Sequence, residues 1–428
     1  MDTLAINGGK KAVPDKLIKV WPPIGALDRK LVLASLNGHE HSFGPNCRAF
    51  EKEFAAWNGN QFAINTNSGT AALHMSLAAC GLSAGDHVLV TAYSWSSSAT
   101  CILHHNCIPV FVDIDFATIN IDVRKIEAAI TSKTRAIIVV HLHGLAVNMD
   151  QVLRIARKHK LLVIEDACQA HGALYKNKKV GTFGDCAAFS FNQNKCLCSG
   201  EGGMFVTDNP DMFQKAKQLW SFGETRAPGQ ARDYHAYALG WMYRSSDLVA
   251  AFGRAQLARL DYYFKTQREN AALLLAELKG TPGLILPVEP AGHTHNWYNF
   301  TSRIDLSAAG WNGQPERFRD AVMKALQAEG VPANVWQSFI LPAMTVFRAR
   351  NAYGGGCPWT CHQTRPVEYD PAKFPVAQRH CATHFGMTTP LRAPNGRAAV
   401  NTIARGFKKV FAQLDRLDVE KILSLKKS

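Results

Sequence analysis

A lysine follows a run of buried-strand character in Phe189-Ser190-Phe191-Asn192-Gln193-Asn194-Lys195, and glycines come soon after it in Ser199-Gly200-Glu201-Gly202-Gly203. Flanked by Phe191, Cys196 and Leu197, the Lys195 amine sits where partial desolvation favours its neutral, nucleophilic form. Schiff-base chemistry with a carbonyl requires that form. Ser190 adds a hydroxyl that can hold a phosphate, and the glycines let the chain turn tightly behind the lysine.

A carboxylate ends the preceding apolar run, Val163-Ile164-Glu165-Asp166, and leads into Ala167-Cys168-Gln169-Ala170-His171. Burying Asp166 unpaired is costly, so it needs a cationic or hydrogen-bonding partner. A protonated pyridine nitrogen would serve, with Gln169 reaching a ring oxygen; a cap or a metal-ligand role is equally open for Asp166 taken alone. Asn67-Ser68-Gly69-Thr70-Ala71 reads as a small-residue turn opening a helix, which is either a plain cap or a phosphate cradle. Trp95, in Tyr93-Ser94-Trp95, is either a core aromatic or a plate for a flat heteroaromatic ligand. The order of the four is more specific than any one of them: phosphate loop, stacking ring, acid for a pyridine nitrogen, then lysine.

The elements that would position these groups alternate β-branched apolar runs with amphipathic stretches, the pattern of an α/β domain with a mostly parallel sheet. Strands are predicted over 61–66, 87–91, 108–112, 135–141, 161–166, 185–191 and 203–207, with helices over 70–80 and 149–159. In such sheets ligands bind beyond the carboxyl ends of the strands, where all four groups fall. A helical stretch over 245–278 leads to a different region, with a strand over 299–304, a Gly/Pro-rich loop over 353–375 and a terminal amphipathic helix over 400–417. The division expected is an N-terminal arm (1–23), a large cofactor-binding domain (24–262) and a small C-terminal domain (263–428).

The 428 residues are 47% hydrophobic and 19% charged, enough for a sizeable core, and no N-terminal run reads as a signal peptide. No apolar stretch is long enough to span a bilayer. A soluble, cytoplasmic protein is expected, with its eleven cysteines reduced rather than forming a disulfide framework. The net charge of +14 comes from short groups such as 157–160, 176–179 and Lys426-Lys427, without interleaved aromatics, so solvated faces rather than a nucleic-acid surface are expected. Cys357, Cys361, His362, His380, Cys381 and His384 fall in two local groups whose spacings match no standard zinc arrangement, and no metal is expected. No G-x-G-x-x-G follows a predicted strand, against a nicotinamide-dependent oxidoreductase.

These residues resemble the sugar and aminocyclitol aminotransferases of the DegT/StrS type, a fold-type-I pyridoxal-phosphate family, across nearly the whole chain. Ser68-Gly69-Thr70, Glu165 to Gly172, and Ser190-Phe191 with Lys195 and Gly200-Glu201-Gly202-Gly203 carry the match. The resemblance implies an aspartate-aminotransferase-like α/β fold, a mostly parallel sheet sandwiched by helices with a smaller α+β C-terminal domain. It implies that Lys195 carries the cofactor as a Schiff base and Asp166 keeps the pyridine nitrogen protonated. It also implies that Trp95 stacks on the ring, Gln169 bonds the phenolic oxygen, and Gly69, Thr70 and Ser190 bind the phosphate. Members with histidine at the lysine position catalyse dehydration; Lys195 argues for transamination, with glutamine or glutamate as donor and a keto-sugar or keto-cyclitol as acceptor. A lyase or dehydratase, or a non-catalytic cofactor sensor on the same fold, is the alternative.

The segment 240–247 resembles the family's loop that reaches across a homodimer, where an asparagine contacts the partner's phosphate. Met242 stands in its place here, and Arg244 is a candidate substitute. Ala5-Ile6-Asn7-Gly8-Gly9 and Cys357-Pro358-Trp359-Thr360 resemble the branch acting on keto-cyclitols and antibiotic precursors. The family tends to place polar groups of the small domain in the acceptor pocket, which makes His295 and Tyr298 candidate substrate contacts. Val331 to Met344 departs from the family's patterns around that pocket.

Overall fold

A computed structural model describes residues 2–225, 231–362 and 367–425. Lys426-Lys427 and part of the 353–375 loop lie outside the described residues. Seven strands form one sheet in the spatial order Phe62–Thr66, Gly203–Thr207, Cys186–Ser190, Leu162–Asp166, Thr134–Val140, His87–Thr91, Ile108–Val112. Only Gly203–Thr207 runs against the others, pairing antiparallel with both of its neighbours. The remaining pairs are parallel, so Thr66, Thr91, Asp166 and Ser190 finish at one edge of the sheet.

The strands are apolar throughout because both faces are covered. Val88, Val90, Ile138 and Val140 point into one core. Leu89, Ile137 and Val139, the alternate residues, point into the other. Each such side chain, wholly withdrawn from water, contributes on the order of 1.5–3 kcal/mol. The helix Met149–His159 buries Met149, Val152, Ile155 and Ala156, opens on an Asn148 side chain that accepts from the Gln151 amide, and carries Arg157, Lys158 and His159 in its last turn, where cations suit the helix dipole.

Beyond the helices Asp247–Leu257 and Leu260–Leu278, a second, antiparallel sheet is made of Leu284–Ile285, Phe300–Ile304 and His384–Met387. Its core includes Leu4 and Val13, so the N-terminal arm is packed into the C-terminal region. The buried Glu329 carboxylate fixes the arm by accepting from the amides of Ala5 and Ala12. In the opposite sense, Leu341, Phe347, Trp359, Tyr369 and Phe374 leave the C-terminal region and pack into one core of the large sheet. No described helix is long and apolar enough to cross a membrane.

One expectation about the cysteines is overturned. Cys357 and Cys361 are joined as a disulfide, because the turn that runs through Pro358, Trp359 and Thr360 brings their Cα atoms to 5.4 Å. The nine other cysteines are free thiols.

Candidate active site

At the carboxyl edge of the large sheet lies a cavity of about 530 Å³, and Gly69, Thr70, Trp95, Asp166, Gln169, Ser190, Lys195 and Tyr298 all line it. Chain positions far apart converge there because each follows the end of a parallel strand or, for Tyr298, the turn leading into Phe300–Ile304.

Asp166 ends its strand almost wholly buried. Its Oδ2 accepts from the Ser98 hydroxyl at 2.7 Å, and Ser98 is in turn 2.8 Å from the Ser94 hydroxyl. Oδ1 accepts from the Cys168 amide at 3.2 Å. Among the described residues no cation pairs with this carboxylate. The neighbouring Glu165 faces the other way. Burial alone would raise its pKa, but the His141 imidazole and the amides of Gly181 and Gly184 more than offset this, and it lies below the usual carboxylate range. The His141 tautomer follows from its partners: Nδ1 accepts from the Val147 amide, so Nε2 donates to Glu165 at 2.8 Å.

Lys195 has its ammonium 4.8 Å from the centroid of the Tyr298 ring and makes no ion pair among the described residues. Its backbone is pinned from two sides. The Trp21 indole donates to the Lys195 carbonyl at 3.0 Å and the Arg392 guanidinium donates to it at 3.2 Å. Arg392 is fully buried and also donates to the Tyr298 carbonyl at 3.2 Å, so one side chain ties the lysine loop to the tyrosine that faces it.

Gln169 Oε1 accepts from the His143 amide at 2.8 Å, which leaves its side-chain NH₂ as the group available for donation. The Ser68 hydroxyl caps the helix Gly69–Ala79 by accepting from the Ala71 amide. A side chain at Gly69 is excluded: a Cβ there would sit 2.6 Å from the Ser190 Cβ and 3.0 Å from the Cys168 sulfur. The glycine thus seats the start of the helix directly on the end of the strand that precedes Lys195.

One expected contact lies elsewhere. His295 is buried away from the cavity, stacked on Trp297 at 4.0 Å, with Nδ1 accepting from the Trp297 amide. The turn that brings Tyr298 to the cavity leaves His295 in the interior beside Trp297. Arg244, expected to act across a homodimer, lines a cleft with Glu51 and Lys217 and not the Lys195 cavity of its own chain. Met242 is half exposed in the same segment. The two Cys/His groups do not assemble: Cys357 bonds Cys361, while His380 and His384 stack on each other at 4.4 Å in the interior. Sequence reasoning missed Trp21, Ser98, Arg392 and Trp336.

The profile of the DegT/DnrJ/EryC1/StrS aminotransferase family matches residues 22–365. The chain belongs to that family. Like other DegT/StrS aminotransferases it is a pyridoxal-phosphate-dependent transferase, and its fold is that of the solved members. It is 45% identical over 283 residues to the GDP-perosamine synthase of Caulobacter vibrioides, covering 66% of this chain and 73% of that one. It is 35% identical over 354 residues to the L-glutamine:2-deoxy-scyllo-inosose aminotransferase of Micromonospora echinospora, covering 78% and 82%. The solved aminotransferase from Psychrobacter cryohalolentis superposes with a TM-score of 0.78 at 29% identity, covering 93% of this chain and 99% of that one.

The residues in place fit the cofactor. Asp166 is a buried carboxylate with two hydrogen bonds and no cation, which a protonated pyridine nitrogen would complete. Lys195 faces the same cavity without an ionic partner, and a helix N-terminus opens onto it at Gly69.

Proposed function

We propose that the protein moves an amino group from L-glutamine or L-glutamate to the ketone of a sugar or cyclitol ring, making an amino building block of the kind found in antibiotics. The reading is carried by one observation. Lys195 and the unpaired Asp166 face a single cavity whose other walls offer mostly uncharged hydrogen-bonding and aromatic side chains, Asn194, Asn334, Thr388, Trp95 and Trp336 among them. Such walls suit a polyhydroxylated ring.

Bound pyridoxal phosphate supplies an electron sink for the substrate carbon that loses its proton. Asp166 would hold the ring nitrogen in its charged form, with Ser98 fixing the carboxylate. Trp95 would pack against the cofactor ring, the Gln169 amide would donate to the phenolic oxygen, and Gly69, Thr70 and Ser190 would hold the phosphate. The Lys195 amine would act as the base that takes the proton from the donor's α-carbon and as the acid that returns it. With the ring ketone the same Nζ runs the proton movement in reverse. Tyr298 closes the cavity over Lys195.

In this reading Arg244 serves a second subunit. The segment around it exposes Phe222, Tyr237, Leu239, Trp241 and Met242, an apolar row suited to a partner chain in a homodimer. The experiment is incubation with L-glutamine and a panel of ring ketones, with aminated products read by mass spectrometry. One aminated ring product supports the reading. Consumption of the amino acid with no amine reaching any ketone would favour a lyase.

A further inference from the structure

The segment from Asn334 to Leu341, part of the stretch that departs from the family's patterns, is held rigidly at the wall of the cavity. Asn334 and Gly386 exchange backbone hydrogen bonds of 2.9 and 2.8 Å, and the Leu341 amide donates to the Ala92 carbonyl at 2.8 Å. Between these anchors the Tyr93 hydroxyl reaches the Gln337 carbonyl at 3.3 Å. Trp336 is thereby clamped edge-on against His143 at 4.8 Å and Tyr93 at 5.7 Å, and tilted toward Trp95 at 6.4 Å. Burial above all, with electrostatic repulsion from neighbouring His384, His295 and Lys195 against a second positive charge, holds the His143 imidazole neutral, so the backing of the indole is uncharged at neutral pH.

Trp336 lines the cavity, and its indole N–H has no hydrogen-bond partner among the described residues. The same is true of the Asn334 side-chain amide and the Thr388 hydroxyl, which line the cavity beside it. A saturated polyol ring presents C–H groups on its faces and hydroxyls around its rim. An indole face attracts the first, and uncommitted amides and hydroxyls satisfy the second.

We propose that Trp336 is the specificity-determining face for the amino acceptor: the ring of a neutral, polyhydroxylated ketone packs on the indole while Asn334 and Thr388 bond its hydroxyls. The inference rests on amino transfer to a ring ketone, proposed above. A donor amino acid is short and charged and gains little from that face. Trp336 therefore sorts the second substrate and leaves the first alone.

The test separates the two half-reactions of the holoenzyme. Wild type, Trp336→Ala, Trp336→Phe and Asn334→Ala are loaded with cofactor, aminated with L-glutamine, then mixed with 2-deoxy-scyllo-inosose as the ketone probe. In parallel, binding of the unreactive scyllo-inositol to the aminated enzymes is measured by calorimetry. Loss of the aromatic face should raise the half-saturating ketone concentration by about ten- to a hundredfold and weaken scyllo-inositol binding in step, while the glutamine half-reaction changes by less than about threefold. Trp336→Phe should keep most of the ketone affinity. Asn334→Ala, which removes only an exposed amide, should raise the ketone requirement several-fold even if Trp336→Ala fails to fold. Equal effects on both half-reactions, or none on either, would overturn the proposal. So would a wild type that glutamine aminates but that neither binds scyllo-inositol nor passes its amine to the probe; failure of glutamine to aminate the wild type would overturn the amino-transfer reading and this proposal with it.

Discussion

The indole of Trp21 donates a hydrogen bond to the backbone carbonyl of Lys195, so a residue from the N-terminal arm fixes the loop that carries the reactive amine. The arm is itself fastened to the C-terminal region, where the Lys19 amide donates to the Asn395 side chain at 2.8 Å. Through this strap the small sheet, the arm and the lysine loop share one framework.

Replacing Trp21 with Phe keeps most of the packing against Tyr263 and Arg392 and removes the hydrogen bond. A bond of this kind is worth about 0.5–1.5 kcal/mol. Turnover should fall roughly two- to tenfold, with the overall fold retained. Steady-state kinetics beside a thermal melt will separate the two effects.

Ser98 is a finer probe of the acid. Its hydroxyl donates to an ionised carboxylate, a bond of about 1.5–3 kcal/mol, so Ser98→Ala should slow the reaction by roughly ten- to a hundredfold. Asp166→Asn should be more severe, because the neutral amide no longer balances a charged pyridine nitrogen. If Ser98→Ala matched the wild type in both cofactor affinity and rate, the hydroxyl would not be fixing the acid.

Much of this arrangement is legible in the sequence, for a physical reason. Strands buried on both faces leave unbroken apolar runs, and His87–Thr91, Ile108–Val112, Gly203–Thr207 and the helix Met149–His159 fall on their predicted residues. Elsewhere the strand ends move by a residue, as at Thr134–Val140, where backbone pairing rather than side-chain pattern decides the limit. Lys195, Asp166, Gln169, Ser190 and Trp95 were readable because strand ends in a parallel sheet share one edge.

Trp21, Arg392 and Trp336 were not readable. They reach the site through tertiary contacts, and nothing in their local sequence marks them. A buried arginine in Leu391-Arg392-Ala393 looks like a surface charge until its carbonyl partners are known. His295 failed for a related reason, since a short turn does not reveal which of its neighbouring residues faces the cavity. The disulfide is local, but pairing four residues apart depends on the turn adopted by the residues between the two cysteines.

The buried histidines predict an acid sensitivity. Desolvation lowers His74, His171 and His295 to about 3 and His384 to about 4, with neighbouring histidines adding to the effect at His74 and nearby lysine or arginine side chains at the other three. Their folded-state values lie below the unfolded value of about 6.5, so the unfolded chain binds the extra protons. The stability they contribute is fully present above about pH 6.5 and is lost as pH falls toward their folded values. Glu51 opposes them: desolvation raises it to about 7, and its contribution is lost as pH rises through that value. These four against Glu51 account for an uptake of roughly three protons on unfolding near pH 5.5, a loss on the order of a few kcal/mol per pH unit, and the likewise depressed His143 and His380 add to it. Denaturant melts between pH 7.5 and 5 will show it. A flat profile would mean that these imidazoles are charged in the native protein.

The central claim is that Lys195 carries the cofactor in an amino-transfer enzyme. The visible absorption spectrum of purified wild type and Lys195→Ala, recorded before and after adding L-glutamine or L-glutamate, tests it most directly. The wild type should show the band of lysine-bound pyridoxal phosphate, a donor should bleach it to the aminated form, and the variant should lack the band. A band that persists in Lys195→Ala, or a wild-type band that no amino donor changes, would contradict it.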